Sequence, residues 1–210
     1  HLFSSAASDV YKRQEGSSNN KAIEIANTGD SAVTLDGYEL AKSTNGGGEW
    51  GSKLALDGRV LEAQSVLVVA HTSSSDEIKA VSDILNGSVI GFNGNDPVAL
   101  LKDGNVHDVM GNMGGSDFAK DVTLVRNVDA MTPSSTYDAS QWSSLAKDSI
   151  EGLGVLDGGE TPEPFACTQD GAEPVFTSIQ EIQGEGDTSP FINGYPYITC
   201  LLYTSPSPRD

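Results

Sequence analysis

Short alternating segments, each closed by turn residues, recur along the first 150 residues and most constrain the fold. Residues 21–27, KAIEIAN, place Ile23 and Ile25 on one face and Glu24 on the other. Residues 65–70, SVLVVA, form an apolar run typical of a short strand that is buried on both faces. Glycine, with 23 of 210 residues, suits tight turns better than a helix bundle. The pattern predicts an all-β domain.

Further strands are predicted wherever the alternation returns. They cover residues 32–40 with a break at Asp36-Gly37, residues 54–61 around Asp57-Gly58, a hairpin at 97–110 that turns at 103–105, and residues 122–125. Residues 141–147 contain Trp142 and Leu145, apolar positions that could close the core. Residues 76–85 instead repeat apolar residues at helical spacing, with Ser75 or Asp76 as the cap, and predict one short helix. The core is predicted to contain Ile23, Ile25, Leu35, Leu40, Val66, Val68, Leu100, Leu124 and Trp142.

The two ends differ in composition from the acidic middle of the chain. Residues 1–14 (HLFSSAASDVYKRQ) and 200–210 (CLLYTSPSPRD) resemble translated sequencing adapter. We therefore expect both ends to be foreign and to pack against nothing specific. Between them we expect a β-sandwich at residues 15–150, an acidic Pro/Gly-rich linker at 151–175 and the truncated start of a second β-rich domain at 176–199.

The charge balance limits the partners that this surface can bind. The chain carries 30 acidic and 12 basic residues, a net charge of -18. Such a surface repels phosphate, and the basic residues are scattered, with Lys120 and Arg126 as the nearest approach to a pair on one strand. We expect no direct nucleic-acid binding. The sequence also contains no apolar run of eighteen residues that would span a membrane.

Ordered motifs along residues 15–154 resemble the lamin tail domain. They are EGSSNNKAIEIAN, LDGYELA, LEAQSVLVVAH, FNGNDPVALLKDGNVHDVMG, VTLVRN and YDASQWSSLAKDSIEGLG. More closely, they resemble the version near the N-terminus of secreted bacterial nucleases, and residues 178–199 resemble the β-rich segment that precedes the catalytic domain of those nucleases.

The resemblance implies an immunoglobulin-like β-sandwich in an extracellular, secreted protein. It also implies a non-catalytic scaffold or targeting module that binds a protein, glycan or surface ligand. The metal-dependent catalytic domain of the nuclease would follow Thr199. The family's first strand would precede Glu15, which predicts an open sheet edge in this chain. The alternative is an interaction module of an adhesin-like surface protein; residues 178–199 favour the nuclease, and no internal repeat supports an adhesin array.

No catalytic motif is visible in the sequence. The histidines are His1, His71 and His107, and no metal-site spacing joins them. Neither a Gly-x-Ser-x-Gly elbow nor a phosphate-binding loop is present. We predict no catalytic residue and no cofactor other than calcium.

One group of oxygen-bearing side chains could serve as ligands for calcium. The group comprises Asn93, Asn95, Asp96, Asp103 and Asn105. The same residue types are what tight turns require, and turn formation explains them fully without a cation.

Two aromatic residues and two cysteines complete the candidates. Trp142 lies in an alternating stretch and is predicted to be in the core, whereas Trp50 follows a Gly-rich loop and is the aromatic residue that we expect to contact a partner. Cys167 is a free thiol or half of a disulfide, and Cys200 lies in the adapter-like end.

Overall fold

The computed structural model describes residues 8–127, 130–156, 191–192 and 195–196. The chain divides into two compact units, His1–Thr161 and Pro162–Asp210. In chain order, the strands of the first unit are β1 (Ser8–Glu15), β2 (Lys21–Asn27), β3 (Val33–Thr34), β4 (Tyr38–Lys42), β5 (Ser52–Ala55), β6 (Val60–Leu61), β7 (Ser65–Ala70), β8 (Ile84–Leu85), β9 (Val98–Lys102), β10 (Asn105–Met110), β11 (Val122–Arg126) and β12 (Trp142–Ala146), and the helix α1 (Asp76–Ala80) lies between β7 and β8. In the second unit, β13 (Phe191–Ile192) pairs antiparallel with β14 (Tyr195–Pro196).

The first unit is an immunoglobulin-like sandwich of two main sheets. The larger sheet has the order β12-β11-β1-β2-β7-β8, and the smaller sheet has the order β10-β9-β4-β5. A shared apolar core joins residues of both sheets, among them Ile23 and Ile25 from β2, Leu40 from β4 and Leu100 from β9. The predicted all-β sandwich is therefore confirmed.

Most of the predicted elements are present. The strands β2 and β7 have the predicted bounds, and β9 and β10 form the predicted hairpin. Eight of the nine predicted core residues are buried, and the exception, Val66, is half-buried. Alternation of apolar residues was a sound guide because one face of each of these strands meets the opposite sheet.

The predicted helix at residues 76–85 is shorter than expected. Ser75 caps it, since its Oγ accepts a hydrogen bond from the Ile78 amide, but the helix ends at Ala80. Ile84 and Leu85 form β8 instead, which pairs in parallel with β7. The reason is that the outer edge of β7 offers the carbonyls of Val68 and Ala70, which accept the amides of Asp83 and Asn86.

The expectation that residues 1–14 lie outside the fold is wrong for residues 8–14. They form most of β1, which lies between β2 and β11 and pairs antiparallel with both. A bulge between Val10 and Lys12 shifts the register against β2. The predicted open edge at this position is therefore also wrong, because β1 occupies it.

The first residues of the predicted linker, 151–156, pack on the sandwich. Leu153 and Leu156 are buried against the outer face of the larger sheet, and the Lys12 Nζ donates to the Glu151 carbonyl at 2.5 Å. Apolar side chains in this Gly-rich stretch were enough to hold it on the sandwich. Residues 157–190 and 197–210 lie outside the described residues, and with them most of the predicted second domain, Cys167 and Cys200.

Candidate functional site

An aromatic groove of about 410 Å³ lies over β11 and β12. The larger sheet has two more strands than the smaller one, and the groove lies over its β12 end. Because side chains alternate between the two faces of a strand, Leu124 of β11 and Trp142 and Ser144 of β12 all face the groove. Phe118 and Tyr137, from the segments that flank β11 and β12, line it as well. We call this cavity the sheet-end groove.

Three aromatic rings form a connected series in the sheet-end groove. Phe118 meets Tyr137 edge to face with ring centroids 5.5 Å apart, and Tyr137 lies 6.4 Å from Trp142. Trp142 is buried, as predicted, whereas Phe118 and Tyr137 are half-buried. Burial raises the pKa of the Tyr137 hydroxyl, so the phenol stays neutral at ordinary pH. The groove therefore offers two partly accessible ring surfaces on a rigid aromatic base.

Polar side chains stand at the entrance of the groove. Asp117 and Lys120 are exposed and form an ion pair at 3.8 Å, and the exposed Ser144 adds a hydroxyl. An apolar floor with a few polar groups at its mouth is the usual composition of a binding site for an apolar group.

A buried ion pair lies behind the groove. One Arg126 nitrogen, Nη2, donates to both carboxylate oxygens of Asp108 at 2.9 Å, and the guanidinium lies 4.7 Å from the Trp142 ring. Asp108 also accepts the amides of Val10 at 2.8 Å and Ser134 at 2.9 Å. Asp108 thus joins β10 to β1, β11 and the segment before β12, and it fixes the base of the groove.

The buried carboxyl of Asp9 shares this environment. Burial and, to a smaller extent, the negative charge of Asp108 raise the pKa of Asp9 to about 7, although the positive charge of Arg126 opposes the shift. Neither oxygen of Asp9 has a hydrogen-bond partner in the described part of the chain. A buried carboxyl without a hydrogen-bond partner is expected to take up a proton and become neutral.

Three cationic side chains converge on the loop before β9. Arg13, Lys42 and Lys21 donate to successive carbonyls of Asn93, Gly91 and Phe92, with distances of 2.7 Å for Arg13 and 2.9 Å for Lys42. Burial lowers the pKa of Lys21 and of Arg13. We missed this cluster because its residues lie far apart in the sequence. The expected pair of Lys120 and Arg126 does not form, since Arg126 binds Asp108.

The five candidate calcium ligands fall at the two ends of β9. Asn93, Asn95 and Asp96 precede the strand, whereas Asp103 and Asn105 follow it, roughly 20 Å away at 3.3 Å per residue.

At the first end, the Asp96 carboxylate accepts the amides of Asn45 at 2.6 Å and Asn93 at 2.8 Å, and the Asn95 Nδ2 donates to the Asn45 Oδ1 at 3.2 Å. At the other end, Asp103 has a φ of 50° in the hairpin turn. The five residues are thus not one ligand set, and turn formation accounts for their contacts.

The remaining candidates have structural contacts. The His71 Nδ1 accepts the Ser73 amide at 3.0 Å, and burial, with the charges of Lys21 and Lys42, lowers the pKa of His71. His107 packs edge to face with Tyr38 at 5.5 Å. Trp50 is half-buried against the outer face of the smaller sheet rather than fully exposed.

The part of the chain that the structure describes has neither a metal-binding cluster nor a membrane-spanning helix. It contains no group of three or more His, Cys, Asp and Glu side chains placed to hold a metal ion. None of its helices is long and apolar enough to cross a membrane.

Comparison with known proteins gives one match. The family model of the Lamin Tail Domain matches residues 8–113, just over half of the chain, and the match begins at the first residue of β1. No curated protein and no solved structure matches the chain.

Proposed function

Because the chain belongs to the lamin tail domain family, whose members are non-catalytic immunoglobulin-like interaction domains, we propose that it is an interaction module that binds an apolar side chain of a protein partner in the sheet-end groove. The observation that carries the proposal is the half-buried pair of rings, Phe118 and Tyr137, over the buried Trp142. A rigid sandwich that presents such a groove recognises a partner by shape and apolar contact.

The rigidity of the groove supports this role. Trp142 is held from behind by Arg126, whose guanidinium is itself fixed by Asp108 and by the Thr132 carbonyl at 3.0 Å. A preformed surface loses little conformational entropy when a ligand enters it. The exposed Asp117 and Lys120 at the rim would orient a partner without adding much affinity, because exposed ion pairs contribute little.

The groove can be tested with small aromatic probes. Tryptophan labelled with fluorine at position 5 gives two fluorine NMR resonances, one from Trp50 and one from Trp142. Titration with phenol or indole should shift the Trp142 resonance and leave that of Trp50 unchanged, because Trp50 packs on the other sheet. Equal shifts of both resonances, or none, would contradict the proposal. The variant Ala139→Trp, at an exposed position in the groove, should abolish the shift.

We further propose that the module serves an extracellular nuclease as a non-catalytic targeting domain. The support is the sequence resemblance of residues 178–199 to the segment that precedes the catalytic domain in secreted nucleases. The purified chain should leave plasmid DNA and RNA intact with magnesium, calcium or manganese, since activity would require a clustered metal-binding site. Cleavage that follows the protein through purification, and that a chelator stops, would overturn the non-catalytic assignment.

The charge of the module argues against direct contact with nucleic acid. A net charge of -18 repels phosphate, and the basic side chains Arg13, Lys21, Lys42 and Arg126 are buried against carbonyls or Asp108. In a titration of labelled duplex DNA at physiological salt, we expect no binding in chelator. Submicromolar binding there would contradict the charge argument, and binding that appears only with added calcium would point to bridging by the cation.

A further inference from the structure

The outer edge of β12 is unpaired in the described part of the chain. β12 ends the larger sheet and pairs only with β11. It contains no charged residue and no proline, and its last four residues are exposed. Edge strands normally carry a charge, a proline or a bulge that prevents pairing with another chain. β12 lacks these features.

The hydrogen-bond pattern identifies which groups face outward. The Asn127 amide donates to the Gln141 carbonyl at 2.8 Å, which makes these two residues a hydrogen-bonded pair. Such pairs alternate along an antiparallel ladder, so Ser143 and Leu145 bond to β11. The amides and carbonyls of Trp142, Ser144 and Ala146 therefore point to the open edge.

Two of these six outward groups are already used. The Trp142 amide donates to the Ala139 carbonyl, and the Ala146 carbonyl accepts the Ser149 amide at 3.2 Å. Four groups are left without a partner among the described residues. They are the Trp142 carbonyl, the Ser144 amide, the Ser144 carbonyl and the Ala146 amide.

These four groups are symmetric about Ser144, and we propose that they bind β12 of a second copy of this chain. In an antiparallel pair centred on Ser144, the Ser144 amide of each copy donates to the Ser144 carbonyl of the other. The Ala146 amide of each copy donates to the Trp142 carbonyl of the other. The pairing uses all four free groups and does not require the Trp142 amide or the Ala146 carbonyl, which are occupied. An unrelated strand would fit as well only if its own groups opposite these two occupied groups were also occupied.

The side chains of β12 agree with this pairing. Leu145 is 40% exposed on the outer face, and a two-fold axis through Ser144 places it opposite Ser143 and diagonal to the second Leu145. The opposite edge of the same sheet is less suited, because β8 has only two residues. The interface is small, so the dimer is weak and concentration-dependent. Because each copy carries a charge of -18, salt should strengthen it.

Although Trp142 and Ser144 also line the sheet-end groove, dimerisation uses only their backbone groups and does not require a ligand in the groove. It is tested with the full chain. Sedimentation at increasing protein concentration should show a shift from 22.0 kDa toward twice that mass, with more dimer at about 0.5 M than at about 0.05 M salt. Leu145→Lys should weaken the dimer at least about tenfold by placing like charges together. Leu85→Lys, at a residue with a similar exposure of 47% on the opposite edge, should leave it unchanged.

A crosslink gives a second readout that does not depend on weakening the fold. With Cys167 and Cys200 replaced by serine, Ser144→Cys should form a disulfide dimer under mild oxidation, because a hydrogen-bonded pair places the two Cα atoms about 5.5 Å apart. Leu85→Cys in the same background should crosslink much more slowly. A monomer at every concentration, a dimer that survives Leu145→Lys, or equal crosslinking of the two variants would overturn the proposal.

Discussion

The strands β1 and β2 are neighbours that are equally buried but differ in composition. In β2, most of the fully buried residues are apolar, namely Ala22, Ile23, Ile25 and Ala26, beside the polar Glu24 and Asn27. In β1, charged and amide side chains are buried to the same degree. They are Asp9, Lys12, Arg13 and Gln14. The backbone of β1 is nevertheless paired with both neighbours.

The difference shows that backbone pairing and side-chain fit are separable in a sheet. Every strand offers the same amides and carbonyls, so a polar segment can fill a central position. The cost appears in the side chains: both oxygens of Asp9, both polar atoms of the Gln14 amide and the Arg13 Nε have no partner among the described residues. Arg13 offsets part of its own cost through Glu15 at 3.0 Å, the Ala119 carbonyl at 3.1 Å and the Phe92 ring at 4.2 Å.

The largest effect is expected from removal of β1. Without residues 1–14, β2 and β11 lose their shared partner and the core loses Val10, so cooperative thermal unfolding and the near-ultraviolet signal of the tryptophans should disappear. A deletion of the same length at the other end, residues 197–210, is the control and should leave the sandwich folded. Equal stability of the two truncated chains would show that the sandwich does not need β1.

The next effect concerns Asp9 and depends on pH. Because the pKa of Asp9 is about 7 in the folded state and 3.8 without burial, the contribution of this carboxyl to the unfolding free energy should be highest below pH 4 and fall as the pH rises to 7. At 1.36 kcal/mol per unit the loss is about 4 kcal/mol. Asp9→Asn should therefore be more stable than the parent at pH 8 and similar to it at pH 4, as measured by urea unfolding.

Asp121 gives a matched control of opposite sign. The hydrogen bond and charge of Lys147 lower the pKa of Asp121, so its contribution is present at neutral pH and is lost as the pH falls through the folded pKa. Asp121→Asn should be slightly less stable than the parent at pH 8. A gain there for both variants would mean that net charge, and not the burial of Asp9, is responsible.

The smallest effect is expected at Gln14. Gln14 pairs in the backbone with Thr123 of β11 and Ala22 of β2, and its buried side-chain amide has no hydrogen-bond partner among the described residues. Gln14→Met keeps the shape and removes the unpaired polar atoms, which should raise the unfolding free energy by about 1–3 kcal/mol. Gln64→Met is the control, because the Gln64 Nε2 donates to the Thr28 carbonyl at 2.5 Å and its loss should be neutral or destabilising. If Gln14→Met were less stable than the parent, the Gln14 side-chain amide must have a hydrogen-bond partner in the folded protein.

The sequence predicted those strands whose side chains alternate between apolar and polar or form an apolar run. Ile23, Ile25 and the SVLVVA run identified β2 and β7 because alternation and apolar content reflect burial directly. β1 could not be found in this way, because its only apolar residues, Val10 and Tyr11, are adjacent in the sequence and show no alternation. The groove was missed except for Trp142, because Phe118 and Tyr137 lie in segments without periodicity. The pair of Asp108 and Arg126 joins two strands and leaves no signal in the local pattern.

Hydrogen exchange of the β1 amides tests most directly whether Ser8–Glu15 is a full member of the sheet. We predict that the amides of β1 which pair with β2 and β11 exchange as slowly as those of Ile23 and Ile25, because all of them open only when the sandwich unfolds. Fast exchange throughout β1 beside a protected β2 would contradict the account. It would indicate that residues 8–14 belong to the foreign end of the chain, as their composition suggests.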